Sequence, residues 1–205
     1  MAQPSLTAAA APIGTPRASD DGEGRTAWGP CDTPCWEKSM LVWVVYESRL
    51  GNTAALAQAI AGALAREHRV RLLPVEEAGP PSGVDLLIIG CPHHRHHQPD
   101  GILSWLFKLP PRVVQDLNCG VFEIRYKRHH FWQGESAAAL IWRRLQGLGG
   151  KPMLKPVSFY LQHRGRLLPE SEIERGAAWA AALARKAVGG RVKAPVIHAG
   201  DHIWT

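Results

Sequence analysis

Two kinds of hydrophobic pattern alternate along most of the chain. Continuous apolar runs such as LVWVVY at 41–46 and VDLLIIG at 84–90 are typical of strands buried on both faces. Between such runs, apolar residues recur at helical spacing, as at Leu56, Ile60 and Leu64. Because strands and helices alternate with short connections, the sequence predicts a three-layer, doubly wound α/β domain with a parallel sheet.

The pattern predicts five strands and four helices. The predicted strands span 41–46, 69–75, 84–90, 118–124 and 152–161, and the predicted helices span 52–68, 102–109, 136–148 and 171–188. Pro74 and Pro156 favour edge positions for the second and fifth strands, since proline cannot donate to a neighbouring strand. Ser136 is the predicted cap of the third helix, and Ser171 with Glu174 has the pattern of a capping box that opens the last one.

The termini differ from this central region in composition. Residues 1–38 are rich in Ala, Pro, Gly and Asp without periodicity, which predicts a disordered tail before a domain at 39–188, and 189–205 is a predicted C-terminal tail. Cys31 and Cys35 lie in the first tail, where we expect free thiols, although a metal or redox pair is the alternative.

Composition and charge restrict the function classes. No window reaches about 18 uninterrupted apolar residues, so we expect no membrane span. Four cysteines and the lack of a secretory leader pattern favour the cytoplasm. The formal net charge is +6, and residues 1–39 hold three basic and five acidic side chains, so the rest carries +8. A body this basic predicts acidic partners, or is simply a solvated surface.

The turn after the first strand carries the clearest chemical signal. Residues 47–52, ESRLGN, join a buried strand to the start of a helix. That geometry presents unpaired backbone N–H groups and the positive end of a helix dipole, so it predicts an anion site, with phosphate as the first candidate.

This turn resembles the phosphate loop of the flavodoxin family, hydroxyl-x-hydroxyl-Gly-Asn-Thr, at Ser48, Gly51, Asn52 and Thr53, and Leu50 stands at the second hydroxyl position. The Gly-x-Pro that follows the family's third strand is matched by residues 90–92, and the order of elements agrees from 40 to 188. The resemblance implies a five-stranded parallel sheet in the order 2-1-3-4-5. It also implies FMN, with its phosphate in the first loop and its flavin ring between the second and third.

The resemblance implies cofactor-binding residues in three loops. They are Ser48, Arg49, Leu50, Gly51, Asn52, Thr53, Pro92, His93, His94, Arg95, Arg125 and Tyr126. The second and third loops also carry four basic side chains, Arg95, Arg125, Lys127 and Arg128. If FMN lies beside them, their positive charge should make the FMN reduction potential less negative than that of an acidic carrier.

We therefore expect an electron-transfer protein or a small FMN-dependent oxidoreductase that works with a redox partner protein, for which an acidic one is a candidate, or with NAD(P)H. The alternative is a flavodoxin-like binding module without flavin that uses its basic, histidine-rich cleft for an acidic partner or a metal. No nucleic-acid module is recognisable, which makes polyanion binding the weakest hypothesis. No side chain stands out as a general acid, a general base or a nucleophile.

Overall fold

The computed structural model describes residues 39–92, 99–126, 136–162 and 168–189, all within one compact unit, Cys35–Thr205. Its elements are β1 (Leu41–Tyr46), α1 (Asn52–Leu64), β2 (Arg69–Pro74), β3 (Leu86–Pro92), α2 (Asp100–Lys108), β4 (Asn118–Tyr126), α3 (Ala137–Gly147), β5 (Lys151–Pro152), β6 (Val157–Leu161) and α4 (Glu170–Gly189). A short 3-10 helix, Val75–Glu77, follows β2. The predicted tail at 1–38, with its two cysteines, lies outside the described residues.

The strands form one parallel sheet in the order β2-β1-β3-β4, and both β5 and β6 pair with the outer side of β4. The predicted order 2-1-3-4-5 and the predicted edge positions are confirmed. The single strand predicted at 152–161 is two segments in the structure. Prolines at 152 and 156 supply no backbone N–H, which accounts for the break in the ladder between them.

Each face of the sheet packs against two helices, because successive side chains of a strand point to opposite faces. Val42 and Val44 of β1 pack in the core formed with α1 and α4, whereas Trp43 and Val45 pack in the core formed with α2 and α3. The central strands are thus buried on both faces, as their continuous apolar sequences predict.

A glycine makes room for an aromatic cluster beneath α4. Gly90 pairs with Phe122 across β3 and β4, and a Cβ atom at residue 90 would lie 2.2 Å from the Phe122 Cζ. The Phe122 ring packs edge-on against Phe159, with centroids 6.0 Å apart, and against Trp179, at 6.1 Å. The missing side chain at residue 90 thus lets the sheet and the helix share this cluster.

Several predicted boundaries differ from the structure. β3 spans Leu86–Pro92 instead of 84–90, β4 ends at Tyr126 instead of 124, and α2 begins at Asp100 instead of 102. The last helix begins at Glu170, so Ser171 lies inside it and does not open a capping box. The Pro169 carbonyl accepts the N–H groups of Glu172 and Ile173, which sets the start of the helix one residue earlier. α1 ends at Leu64, four residues before the predicted end.

None of the helices in the described ranges has both the length and the apolar character that a bilayer-spanning helix requires.

Replacing Gly90 by alanine should lower the free energy of unfolding by roughly 1–3 kcal/mol, because the added methyl group overlaps the Phe122 ring. Gly62 is the matched control, since it lies on the exposed side of α1 and a Cβ atom there would have no neighbouring atom within 4 Å. Gly62→Ala should raise stability by roughly 0.5–1 kcal/mol. Urea unfolding of both variants measures the difference, and equal effects would contradict the packing described.

Candidate functional site

The carboxyl ends of β1, β3 and β4 lie at one edge of the sheet, because the strands are parallel. A cleft of about 340 Å³, partly open to solvent, lies between the chain segments that leave these ends. It is lined by Arg49, Leu50, Asn52, Thr53, Pro92, Ile124, Arg125, Tyr126 and Leu161. In parallel sheets, this edge is where ligands bind.

The structure brings together most of the residues that the sequence singles out. Seven of the twelve line the cleft: Arg49, Leu50, Asn52, Thr53, Pro92, Arg125 and Tyr126. Ser48 and Gly51 belong to the same β1–α1 loop. His93, His94 and Arg95 lie outside the described residues, as does the third loop beyond Tyr126.

The loop enters α1 through a left-handed glycine. Gly51 has φ 85° and ψ −23°, a conformation that glycine adopts without strain. It offers no side chain to cap the helix, and no atom of the described residues lies within 4 Å of the position its Cβ would take. The Ser48 Oγ accepts the Ala54 N–H at 3.2 Å, which leaves the Ser48 O–H free to donate. Among the described residues, none occupies the space next to the Gly51 Cα.

Several donors at this point have no acceptor among the described residues. Within the described ranges, no hydrogen bond is formed by the backbone N–H groups of residues 49–53 or by the side chains of Asn52 and Thr53. Thr53 is nevertheless only 2% exposed. The first turn of α1 contains no acidic residue, so the positive end of its dipole is not offset there. An anion bound next to Gly51 would meet converging donors.

The other helices that the structure describes begin differently. The Glu47 carboxylate accepts the Ile102 N–H of α2 at 3.2 Å, and the Glu123 carboxylate accepts the Ala138 N–H of α3 at 3.2 Å. α4 has Glu170 and Glu172 in its first turn. Of the four described helices, only α1 therefore starts without a carboxylate from the described residues.

Sequence reasoning misses the importance of Glu47 and Glu123. Glu47 is 7% exposed and Glu123 is completely buried. The sequence does carry a signal for Glu123, because this residue interrupts the apolar strand NCGVFEI. A carboxylate buried in a strand is rarely found without partners, so its position indicates a polar network. Glu47 follows a strand directly, and nothing in the sequence separates it from an ordinary turn residue.

Cys91 lies between the two carboxylates in the sheet. It pairs with Glu123 across β3 and β4, and it follows Gly90, whose carbonyl accepts the Glu47 N–H at 3.0 Å. Burial raises the pKa of the Cys91 thiol well above its usual range, and the negative charges of Glu123 and Glu47 raise this pKa further. The thiol is therefore protonated at neutral pH and is poorly suited to act as a nucleophile.

The two arginines of the cleft are paired with these carboxylates. The Arg49 Nε lies 3.7 Å from Glu47 Oε1, and an Arg125 guanidinium nitrogen lies 3.4 Å from Glu123 Oε1. Each positive charge on the described walls thus has a negative charge behind it. Glu123 offsets part of the Arg125 charge. The expected basic cleft also depends on Arg95, Lys127 and Arg128, which lie outside the described residues, so it stays a prediction.

The part of the cleft lined by β4 and β6 is apolar, in contrast to the polar start of α1. Ile124 and Leu161 supply a buried apolar surface, and the Tyr126 side chain is 42% exposed beside it. Leu50 is 72% exposed in the loop. The arrangement is suited to a ligand with an anionic group at one end and a flat apolar group at the other.

No protein-family model and no curated protein matches the chain. Solved structures do match. A flavodoxin from the domain Archaea aligns with 72% of this chain and 99% of its own, at 18% identity and a TM-score of 0.59. Oxidised flavodoxin 1 from Bacillus cereus aligns with 71% and 97%, at 17% identity and a TM-score of 0.55.

A larger protein contains the same fold as a part. Rubredoxin oxygen:oxidoreductase from Desulfovibrio gigas aligns with 78% of this chain, at 20% identity and a TM-score of 0.61, but only 39% of its own chain is covered. At such identities a structural match establishes architecture. Together with the strand order, these matches show that the chain has the flavodoxin-like fold.

Proposed function

We propose that this chain binds FMN in the cleft and transfers electrons, as a carrier or as a small flavin-dependent oxidoreductase. The observation that carries the proposal is the start of α1, where backbone N–H groups have no acceptor among the described residues and the first turn holds no acidic residue. The fold adds support, since its solved examples include flavodoxins and an oxidoreductase.

The donors at α1 fit a phosphate monoester. A phosphate dianion accepts several hydrogen bonds at once, and each charge-assisted bond contributes roughly 1.5–3 kcal/mol. The N–H groups of residues 49–53, the Ser48 O–H and the Thr53 hydroxyl would hold this group. Gly51 permits the close approach, since no side chain stands in front of its backbone.

The apolar part of the cleft fits a flat ring. Tyr126 is the exposed aromatic side chain there, with Pro92, Ile124 and Leu161 as neighbours on the lining. His93, His94 and Arg95 stay predictions for the same region. Bound FMN would supply one- and two-electron redox chemistry, whereas the protein would bind it and set its electrostatic surroundings.

Charge indicates the kind of partner. The sequence outside residues 1–39 carries a formal +8, which favours an acidic redox protein or the phosphates of NAD(P)H. A cytoplasmic location stays a prediction from the cysteine count and the N-terminal pattern.

One observation favours a second candidate, a flavodoxin-like module without flavin. Leu50 occupies the position of a hydroxyl in the phosphate loop, and its exposed side chain cannot bind a phosphate. Such a module would use the cleft for an acidic partner.

FMN binding separates the two candidates. The proposal predicts that FMN fluorescence is quenched on titration with the purified protein and that a yellow complex survives gel filtration. Protein that leaves FMN fluorescence unchanged at concentrations of about 100 μM, where even weak sites of this kind fill, would support the module without flavin.

Thr53 tests the phosphate contact with matched variants. Thr53→Val keeps the shape of the side chain but removes the hydroxyl, so FMN affinity should fall by roughly tenfold, the equivalent of one charge-assisted hydrogen bond. Thr53→Ser keeps the hydroxyl and should bind FMN nearly as well as the unaltered protein. Riboflavin, which lacks the phosphate, should bind all three proteins equally, and a parallel loss of riboflavin would contradict the phosphate contact.

Leu50 offers a gain of binding. Leu50→Ser introduces a hydroxyl into the loop, so FMN affinity should rise by up to roughly tenfold while riboflavin affinity stays the same. Because Leu50 is largely exposed, thermal unfolding should change little. Leu50→Ala is the control that removes the leucine without adding a donor, and equal gains in both variants would show that bulk, not a missing hydroxyl, limits the site.

A further inference from the structure

A three-residue unit, Glu-x-Arg, occurs at two strand ends of the cleft. Residues 47–49 follow β1 directly, and residues 123–125 lie at the end of β4. In both units, the glutamate is buried and pairs with the arginine two residues later. In both, the same glutamate also accepts an N–H group from the first turn of a helix.

The first unit joins the phosphate loop to α2. Glu47 Oε2 accepts the Ile102 N–H at 3.2 Å, while Oε1 lies 3.7 Å from the Arg49 Nε. The carboxylate lies so close to α2 that a Cβ atom on Gly101 would be 3.0 Å from Oε2. One carboxylate oxygen of Glu47 therefore accepts the helix N–H, and the other pairs with the arginine.

The second unit joins three elements. Glu123 Oε2 accepts the Ser136 hydroxyl at 2.8 Å and the Ala138 N–H at 3.2 Å, both at the start of α3. Oε1 accepts the Ser158 hydroxyl of β6 at 2.7 Å and faces Arg125 at 3.4 Å. Several donors on a buried carboxylate offset the cost of burying it and fix its position.

Resting on the proposed function of the cleft, we propose that Glu47 and Glu123 are positioning residues that hold Arg49 and Arg125 at its mouth and offset their charges. Both arginines line the cleft, Arg49 from the β1–α1 loop and Arg125 from β4. A guanidinium tied to a buried carboxylate loses less rotamer entropy when it meets a ligand. It also contributes less net positive charge to the cleft.

Arginine labelling tests the pairing without any flavin. Phenylglyoxal labels a guanidinium more readily when no carboxylate holds it in an ion pair. Glu123→Gln should therefore raise the labelling rate of Arg125 by roughly fivefold, the ratio that corresponds to about 1 kcal/mol of ion-pair free energy at 25 °C. Labelled peptides would be followed by mass spectrometry in the full chain.

Each unit serves as the control for the other. Glu47→Gln should raise labelling of Arg49 and leave Arg125 unchanged, and Glu123→Gln should do the reverse. Arg144, which stacks on Phe107, should not respond in either variant. No rise at the paired arginine, or an equal rise at all arginines, would overturn the proposal, because the second result indicates general loosening. If Glu123→Gln does not fold, the Glu47 variant decides by itself.

Charge-balanced variants test the consequence for a bound cofactor. In FMN-loaded protein, Glu123→Gln should make the midpoint potential less negative, because Arg125 loses its counter-charge. The double variant Glu123→Gln/Arg125→Gln should return the potential toward the original value, which a merely structural role of Glu123 does not predict. A shift that persists in the double variant would overturn the charge-offset role. Unaltered protein that does not bind FMN would contradict only the proposed function, since the labelling result stands independently.

Discussion

The need of helix N-termini for acceptors governs the carboxyl edge of this sheet. Each helix brings backbone N–H groups that cannot bond within the helix, and water or another partner must satisfy them. Glu47 supplies an acceptor to α2 and Glu123 supplies acceptors to α3, both from buried positions. α1 receives only the Ser48 hydroxyl, at its Ala54 N–H, from the part of the chain that the structure describes. Among the described residues, α1 is thus the helix whose start receives no carboxylate.

The same carboxylates organise the charge of the cleft. A buried carboxylate is costly unless it is bonded and paired, so Glu123 needs the hydroxyls of Ser136 and Ser158 as well as Arg125. Their bonds tie β4 to α3 and β6, which supports the cleft wall. The two carboxylates also offset positive charge, because each described arginine near the strand ends has a carboxylate beside it. A count of basic residues alone therefore overestimates the positive potential there.

Much of the fold follows from sequence pattern, and particular residues show where pattern stops being sufficient. LVWVVY at 41–46 has the composition of a central strand, and the turn after it identifies the start of α1. Pattern misplaces the start of α4 because the Pro169 carbonyl, a backbone feature, competes with the side-chain signal at Ser171. The role of Glu123 is hidden in its strand, since its partners at residues 136 and 158 are distant in sequence and only the folded sheet brings them together. Long-range polar partners of this kind carry no local periodicity.

Amide NMR shows residue by residue whether the first turn of α1 binds the phosphate of FMN. On titration with FMN, the ¹H–¹⁵N resonances of residues 49–53 should shift strongly. Riboflavin, which lacks the phosphate, should shift these resonances much less. The amides of Ile102 and Ala138 should move little, because protein carboxylates already occupy their helix starts. Equal shifts with riboflavin, or shifts centred on α2 or α3 instead of α1, would contradict the account.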